Sequence, residues 1–372
     1  MRVGIPREVK DHEYRVALTP AGVNELVKAG HQVYVEHLAG VGSTIPDADF
    51  ETAGATILKT ADDVWAEADL VLKVKEPVAE EYHRMRAGQT LFTYLHLAAS
   101  RDCTEALLKA GIDAVAYETV QLADGSLPLL APMSEVAGRM ATQVGARCLE
   151  REAGGRGILL GGVPGVPAAK VVVLGAGVSG MNAATIALGM QAEVLLLDKN
   201  VNKLRRADEV YRGHLQTVAS NQYEVEKAVL DADLVIGAVL VPGAKAPKLV
   251  SNELVGRMKS GSVLVDISVD QGGCFSDTHP TTHSAPTFSV HDSIFYCVAN
   301  MPGAVPHTST YALTNVTLPY AMELAKHGLR EAARRDPALA KGVNTAGGTL
   351  TNAPVAEAHD MTAASVEEAL GL

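Results

Sequence analysis

The stretch from Lys170 to Gly180, read together with Asp198, constrains this chain more than any other feature. Val171-Val172-Val173-Leu174 is a short apolar run that reads as a buried strand. Gly175, Gly177 and Gly180 then give G-x-G-x-x-G where a helix should begin, with Val178 and Ser179 inside the turn. A second apolar run, Val194-Leu195-Leu196-Leu197, ends at Asp198. Each glycine has its own physical reason: a tight turn, close approach of backbone to a pyrophosphate, and tight helix–strand packing. Phosphates would sit on the N–H groups at the helix start, where the partial positive charge lies. A carboxylate about 20 residues on accepts hydrogen bonds from the adenosine ribose hydroxyls. The glycines alone are equally a structural turn. Strand, turn, helix, second strand and terminal Asp in sequence point to a dinucleotide. Asp198 favours NAD over NADP, because a 2′-phosphate beside it would be repelled.

The chain of 372 residues is too long for one ordinary core and suits two domains. Gly is abundant and aromatics are scarce, with a single Trp65, a balance that favours α/β packing of Val, Ile, Leu and Ala. A net charge of −11 without a long basic run speaks against nucleic acid or an acidic membrane surface as partner. Cys103, Cys148, Cys274 and Cys297 are scattered, which reads as reduced packing thiols in a cytoplasmic protein, and no ligand cluster calls for a metal. Met1-Arg2-Val3-Gly4-Ile5-Pro6 reaches Pro6 and Arg7 too soon for a signal peptide. The uncharged run from Val171 to Ala192 is long enough to mimic a membrane helix, yet its glycines parse it as strand, turn and helix.

Short apolar runs alternate with helix-length segments along most of the chain. Strands are expected at Val3–Ile5, Val33–Val35, Asp69–Lys75, Thr90–His96 and Ala114–Tyr117, and a helix from Pro20 to Ala29 stopped by Gly30. Pro132-Met133-Ser134 opens a long helix toward Arg151, with Ser134 as N-cap. Beyond Asp198, strands follow at Asp233–Ala238 and Ser262–Ile267, and Val298–Gly303 closes that domain. Tyr311–Gly328 reads as a helix bent by Pro319, and the tail from Arg330 has no clear placement. The pattern predicts an α/β protein of two Rossmann-like, doubly wound parallel-sheet domains with a cleft between them. The middle domain, residues 132–303, binds the cofactor; residues 1–131 and 304–372 form a discontinuous substrate domain.

Ligands in open parallel sheets bind beyond the carboxyl ends of strands. Lys75, His96 and Asp270 fall at such ends, a set suited to proton transfer beside a hydride acceptor. Each also has a plainer reading. A strand-end lysine is commonly solvated, and an isolated histidine among 12 is commonly a surface or packed residue. Asp270 could cap its glycine-rich turn, and Arg15 could form a surface ion pair. Lys73 shares a strand face with Lys75, so pattern alone does not choose between them.

The same residues carry a resemblance. Gly4-Ile5-Pro6-Arg7-Glu8, Glu13-Tyr14-Arg15-Val16-Ala17-Leu18-Thr19-Pro20, Lys73-Val74-Lys75-Glu76-Pro77, Tyr94-Leu95-His96, Pro132-Met133-Ser134-Glu135, the glycine turn, Asp270-Gln271-Gly272-Gly273 and Asn300-Met301-Pro302-Gly303 follow in order. Together they resemble the family of alanine dehydrogenases and nicotinamide nucleotide transhydrogenases over nearly the whole chain. His12 departs from the family, which commonly has Asn before the Glu, and this bears on the local turn. The resemblance implies NAD-dependent, reversible oxidative deamination of L-alanine to pyruvate and ammonium. It implies that Arg15 holds the substrate carboxylate, Lys75 binds the pyruvate oxygen or that carboxylate, His96 is the acid/base, and Asp270 orients water. It further implies cofactor contacts from Ser134, Val178, Ser179, Asp198, Lys203, Ser220, Val239, Leu240, Ile267, Asp270, Val298, Asn300 and Met301, and a homohexamer. Two alternatives stand beside this reading: the soluble NAD-binding subunit of a transhydrogenase, which would need a membrane partner, and, as a separate class, a non-catalytic protein that binds NAD without turnover.

Overall fold

A computed structural model of the chain describes residues 1–239 and 246–372. The chain divides into two compact units, Met1–Met133 with Val305–Leu372, and Ser134–Ala304. The first unit opens with β1 (Arg2–Ile5), β2 (Gln32–Glu36), β3 (Thr56–Leu58), β4 (Leu70–Leu72), β5 (Thr90–Thr93) and β6 (Asp113–Ala116). The second holds β7 (Lys170–Leu174), β8 (Glu193–Asp198), β9 (Gln216–Ala219), β10 (Leu234–Gly237), β11 (Val263–Asp266), β12 (Thr287–Val290) and β13 (Ser293–Tyr296). The chain then returns to the first unit with β14 (Val343–Ala346) and β15 (Thr349–Leu350).

Both units are α/β. The first sheet has the order β15-β14-β6-β5-β4-β1-β2-β3, and the second β12-β13-β11-β10-β7-β8-β9. Among β1–β6 and among β7–β11 every pairing is parallel, as crossover connections require, with helices covering both faces, whereas β12 pairs antiparallel with β13 across a short turn. That double cover explains the unbroken apolar runs: every residue of β5, β10 and β11 is buried. Leu91, Leu95, Leu107, Ile112 and Trp65 pack in the first core, and Val172, Val235, Leu264, Phe275 and Phe295 in the second. Strand order reverses between β1 and β4 in one sheet and between β7 and β10 in the other. Diverging loops leave a crevice at such a switch point. No helix among the described residues is long and apolar enough to cross a membrane, and the four cysteines are buried and free of disulfides.

Several expectations shift. The strands at Leu70–Leu72 and Thr90–Thr93 stop short of Lys73 and Tyr94, because the chain turns there into loops held by side chains. Ser134 is not an N-cap; it is the fourth residue of the helix Ala131–Cys148. The helix placed at Tyr311 begins earlier and runs as Pro306–Arg335 through Pro319. The backbone departs from it at Gly328 instead (φ 72°, ψ 163°), a conformation open to glycine and strained for other residues. The tail supplies β14 and β15, which extend the first sheet antiparallel from β6. Their short polar strands, Val-Asn-Thr-Ala and Thr-Leu, carry too little apolar pattern to be read alone.

At the glycine turn, Gly175 takes φ +108°, and a Cβ there would stand 2.6 Å from the Ala238 carbonyl oxygen. A Cβ on Gly180 would stand 1.7 Å from the Gly175 carbonyl oxygen. Gly180→Ala should therefore destabilise the second unit by roughly 2–3 kcal/mol through overpacking. Urea unfolding followed by a probe in that unit checks this, with Gly189→Ala, whose added methyl meets nothing within 4 Å, as the tolerated control.

Candidate active site

The second sheet's carboxyl edge gathers most of the residues assigned to the cofactor. The helix Val178–Gly189 starts at the glycine turn, with Gly177 as its N-cap. In contrast to Gly175 and Gly180, a Cβ on Gly177 would meet nothing within 4 Å. Open space thus faces the helix start, where backbone N–H groups lack helical partners, and the turn fits a bound pyrophosphate. Asp198, at the end of β8, accepts the Ala176 N–H at Oδ2 and the Asn200 N–H at Oδ1, both at 2.7 Å. The carboxylate therefore clasps the glycine turn and keeps lone pairs for hydroxyl donors. The Lys203 ammonium stands 3.8 Å from Oδ2, and Ser220 donates its N–H to the Asp198 carbonyl across the sheet.

Val239 follows β10, with its carbonyl accepting the Ser268 hydroxyl at 2.7 Å. Ile267 follows β11 and donates its N–H to the Gly237 carbonyl. Leu240 lies outside the described residues. Val298 is buried, Asn300 takes φ 60° at the next turn, and Met301 is buried in the short turn Met301–Ala304. Ser134 lies one turn before Gly138 on its helix, and a Cβ on Gly138 would stand 2.2 Å from the Ser179 carbonyl oxygen. Asp270 is exposed in the turn Val269–Gln271, but it is Asp266 that caps the glycine-rich loop. Asp266 accepts the Ser268 and Cys274 N–H groups at 3.0 and 2.8 Å and the Thr278 hydroxyl at 2.6 Å. Burial pushes its pKa up, against these hydrogen bonds.

In the first unit, Arg15 follows β1, Lys75 follows β4 and His96 follows β5, at the carboxyl edge around that sheet's switch point. Lys73 and Lys75 are now separated. Lys73 is fully buried, with its ammonium 3.1 Å from Glu8 and 2.9 Å from Glu81. Burial opposes its charge, and the two carboxylates outweigh burial and raise its pKa. Glu8 also accepts the Val74 N–H at 2.6 Å. The motif Gly4–Glu8 thus anchors the loop that presents Lys75. Lys75 is half-buried and enters no salt bridge among the described residues. Burial and then the nearby Arg15 bring its ammonium below the usual 10.5.

Arg15 is no surface ion-pair former. Its Nε and Nη2 donate to the two carboxylate oxygens of Glu13 at 2.6 and 2.5 Å, and Nη1 donates to Met133 Sδ at 3.0 Å. Arg15 and Glu13 are both buried, so the guanidinium is held in one orientation. His12 accommodates the family's departure by taking φ 56°, a conformation Asn also tolerates.

The His96 side chain is 44% exposed, and its Nδ1 lies 3.7 Å from Glu76 Oε2. Burial works to raise the Glu76 pKa, and His96 and Lys10 more than offset it, leaving the carboxyl at about 2. Glu76 is therefore a fixed anion beside the imidazole. Tyr94 lies beneath, its ring centroid 5.8 Å from that of His96 and its hydroxyl donating to the Leu129 carbonyl at 2.6 Å.

The alanine dehydrogenase/PNT N-terminal domain family matches residues 4–137, and its C-terminal counterpart matches residues 141–353. The chain belongs to the alanine dehydrogenase/PNT family. It is 65% identical to alanine dehydrogenase of Mycobacterium tuberculosis over 96% of each chain. It is 54% identical to that of Geobacillus stearothermophilus over the full length of both. A solved L-alanine dehydrogenase superimposes with a TM-score of 0.94 at 50% identity, covering 97% of this chain and 99% of that one. A transhydrogenase from Sinorhizobium meliloti follows at a TM-score of 0.80 and 26% identity, covering 95% and 99%.

Sequence reasoning passed over the acidic residues Glu8, Glu13, Glu76 and Glu118. The first three stand inside the motifs that carry the resemblance, next to the cations singled out there, and charge complementarity was the available signal. Glu118 is far from its partners in sequence and gave none. Lys73→Met strands two buried carboxylates and should lower stability by about 3–5 kcal/mol. Lys75→Met should leave stability within about 0.5 kcal/mol. Paired denaturation curves check the contrast.

Proposed function

We propose that the chain catalyses reversible oxidative deamination of L-alanine with NAD: L-alanine, NAD⁺ and water give pyruvate, ammonium, NADH and a proton. Membership of the alanine dehydrogenase family over the full chain carries this reading. The second unit would hold the dinucleotide, with the glycine turn on the pyrophosphate and Asp198 on the ribose hydroxyls. NAD, when bound, supplies the acceptor for the hydride that leaves the substrate α-carbon.

Arg15, oriented by Glu13, binds the substrate carboxylate through its charge, and Lys75 holds the developing carbonyl oxygen. His96 removes a proton so that the amine is neutral before the hydride departs. Loss of hydride leaves iminopyruvate, whose carbon is electrophilic. Once His96 has released that first proton to solvent, it accepts a proton from the water that adds there, with Asp270 orienting the water, and returns this proton to the nitrogen as ammonia leaves. Glu76 stands 3.7 Å from Nδ1, so Nε2 is the nitrogen assigned to the substrate.

The proposed reaction is tested by NADH absorbance after mixing the protein with NAD and L-alanine at alkaline pH; absence of an alanine-dependent rise overturns it. His96→Ala should reduce turnover by about two decades or more while NAD binding persists. Asp198→Ala should shift preference toward NADP and also weaken NAD, since it frees the Ala176 N–H from its acceptor. Equal NAD affinity in that variant would count against the ribose contact. A lowered Lys75 pKa means its charge is lost as pH rises toward, and before reaching, the usual 10.5. The KM for pyruvate should accordingly climb on that alkaline limb, and Lys75→Arg should flatten the rise.

A further inference from the structure

β5 ends at Thr93, and the two residues before His96 stay buried. Leu97, on its other side, is buried as well. His96 stands exposed between the buried Leu95 and Leu97, and the backbone reverses there at φ 48° and ψ 36°. This left-handed conformation is uncommon for residues other than glycine, and histidine, like asparagine and aspartate, adopts it more readily than most. Such an arrangement persists only where surrounding contacts over-determine it.

Glu118 provides those contacts. It lies in the turn Tyr117–Thr119 that follows β6, the neighbour of β5, with Thr93 paired to Ala116. Its Oε1 accepts the His96 N–H at 2.6 Å and the Leu95 N–H at 3.1 Å, and Oε2 lies 3.3 Å from the same Leu95 nitrogen. One oxygen thus takes both main-chain donors of the reversal. Glu76 faces the imidazole itself, whereas Glu118 touches only the backbone that aims it.

We propose that Glu118 is a positioning residue, a clasp on the Leu95 and His96 amides that fixes the direction of the His96 imidazole. This rests on the acid/base reading of His96. Misplacing a reacting group by about 1 Å can lower the rate by around 100-fold, so a backbone clasp next to that group has leverage on turnover.

The test uses the full chain with Glu118→Gln, Glu118→Asp and Glu118→Ala. Because Oε1 alone takes both strong bonds, the Gln variant should restore turnover to within about threefold of wild type. The Asp variant keeps the charge but draws the oxygens back by about 1.5 Å, one carbon–carbon bond. Asp and Ala should both lose at least about tenfold in kcat, with NAD affinity unchanged in fluorescence titration. Hydrogen exchange of a peptide spanning Leu95 and His96 should accelerate in Asp and Ala and remain slow in Gln. An Asp variant that outperforms Gln would make charge, and not reach, the operative property and overturn the proposal. So would wild-type kcat or unchanged exchange in Glu118→Ala. Failure of the wild type to reduce NAD with alanine would remove the reaction reading, while the exchange measurement would still judge the clasp.

Discussion

Carboxylates that accept backbone N–H groups hold the loops at the carboxyl edges of both sheets. Glu8 takes the Val74 N–H, Glu118 those of Leu95 and His96, Asp198 those of Ala176 and Asn200, and Asp266 those of Ser268 and Cys274. A strand that ends beneath a loop leaves main-chain donors without ladder partners, and unpaired buried donors are expensive. An ionised acceptor forms a shorter, stronger bond than a neutral one, worth about 1.5–3 kcal/mol. Each carboxylate therefore buttresses a turn that no regular secondary structure supports.

The same edges divide charged residues by burial. Lys73, enclosed between Glu8 and Glu81, is a structural cation. Two residues later Lys75 is half-buried, with its ammonium uncommitted to any salt bridge among the described residues and its pKa pulled down. Arg15 is buried but retains its charge through Glu13. Cations held in place by their own carboxylates are oriented before a substrate arrives, so little reorganisation is needed during reaction.

Both halves follow one architectural plan. Each unit is a mainly parallel sheet whose order reverses once, and its candidate residues lie along the carboxyl edge that contains that reversal. In the second unit the glycine turn leaves open space at a helix start, a feature suited to a phosphate. In the first, the turn after β5 carries a left-handed histidine, a feature suited to presenting one side chain. The fold class is common to both, and the loops supply the differences.

Much of this was legible in the residues alone. Buried parallel strands write themselves as continuous Val, Ile and Leu runs, and the glycine turn with Asp198 has a spacing that local geometry enforces. The motifs around Arg15, Lys75, His96 and Asp270 carried the family. The antiparallel strands β14 and β15 were not legible, because they are short and polar and β14 owes its place to β6, a strand distant in the chain, while β15 only follows β14. Nor could pattern separate Lys73 from Lys75, or show that Asp266, and not Asp270, caps its loop. Those outcomes turn on which carboxylate reaches which donor after folding. Sequence by itself determined the two sheets and the chemistry available at their edges, since periodicity and glycine placement act over a few residues. Tertiary structure alone decided which charges are buried in pairs and which face outward, since ion pairing and hydrogen bonding join residues that only the fold brings near.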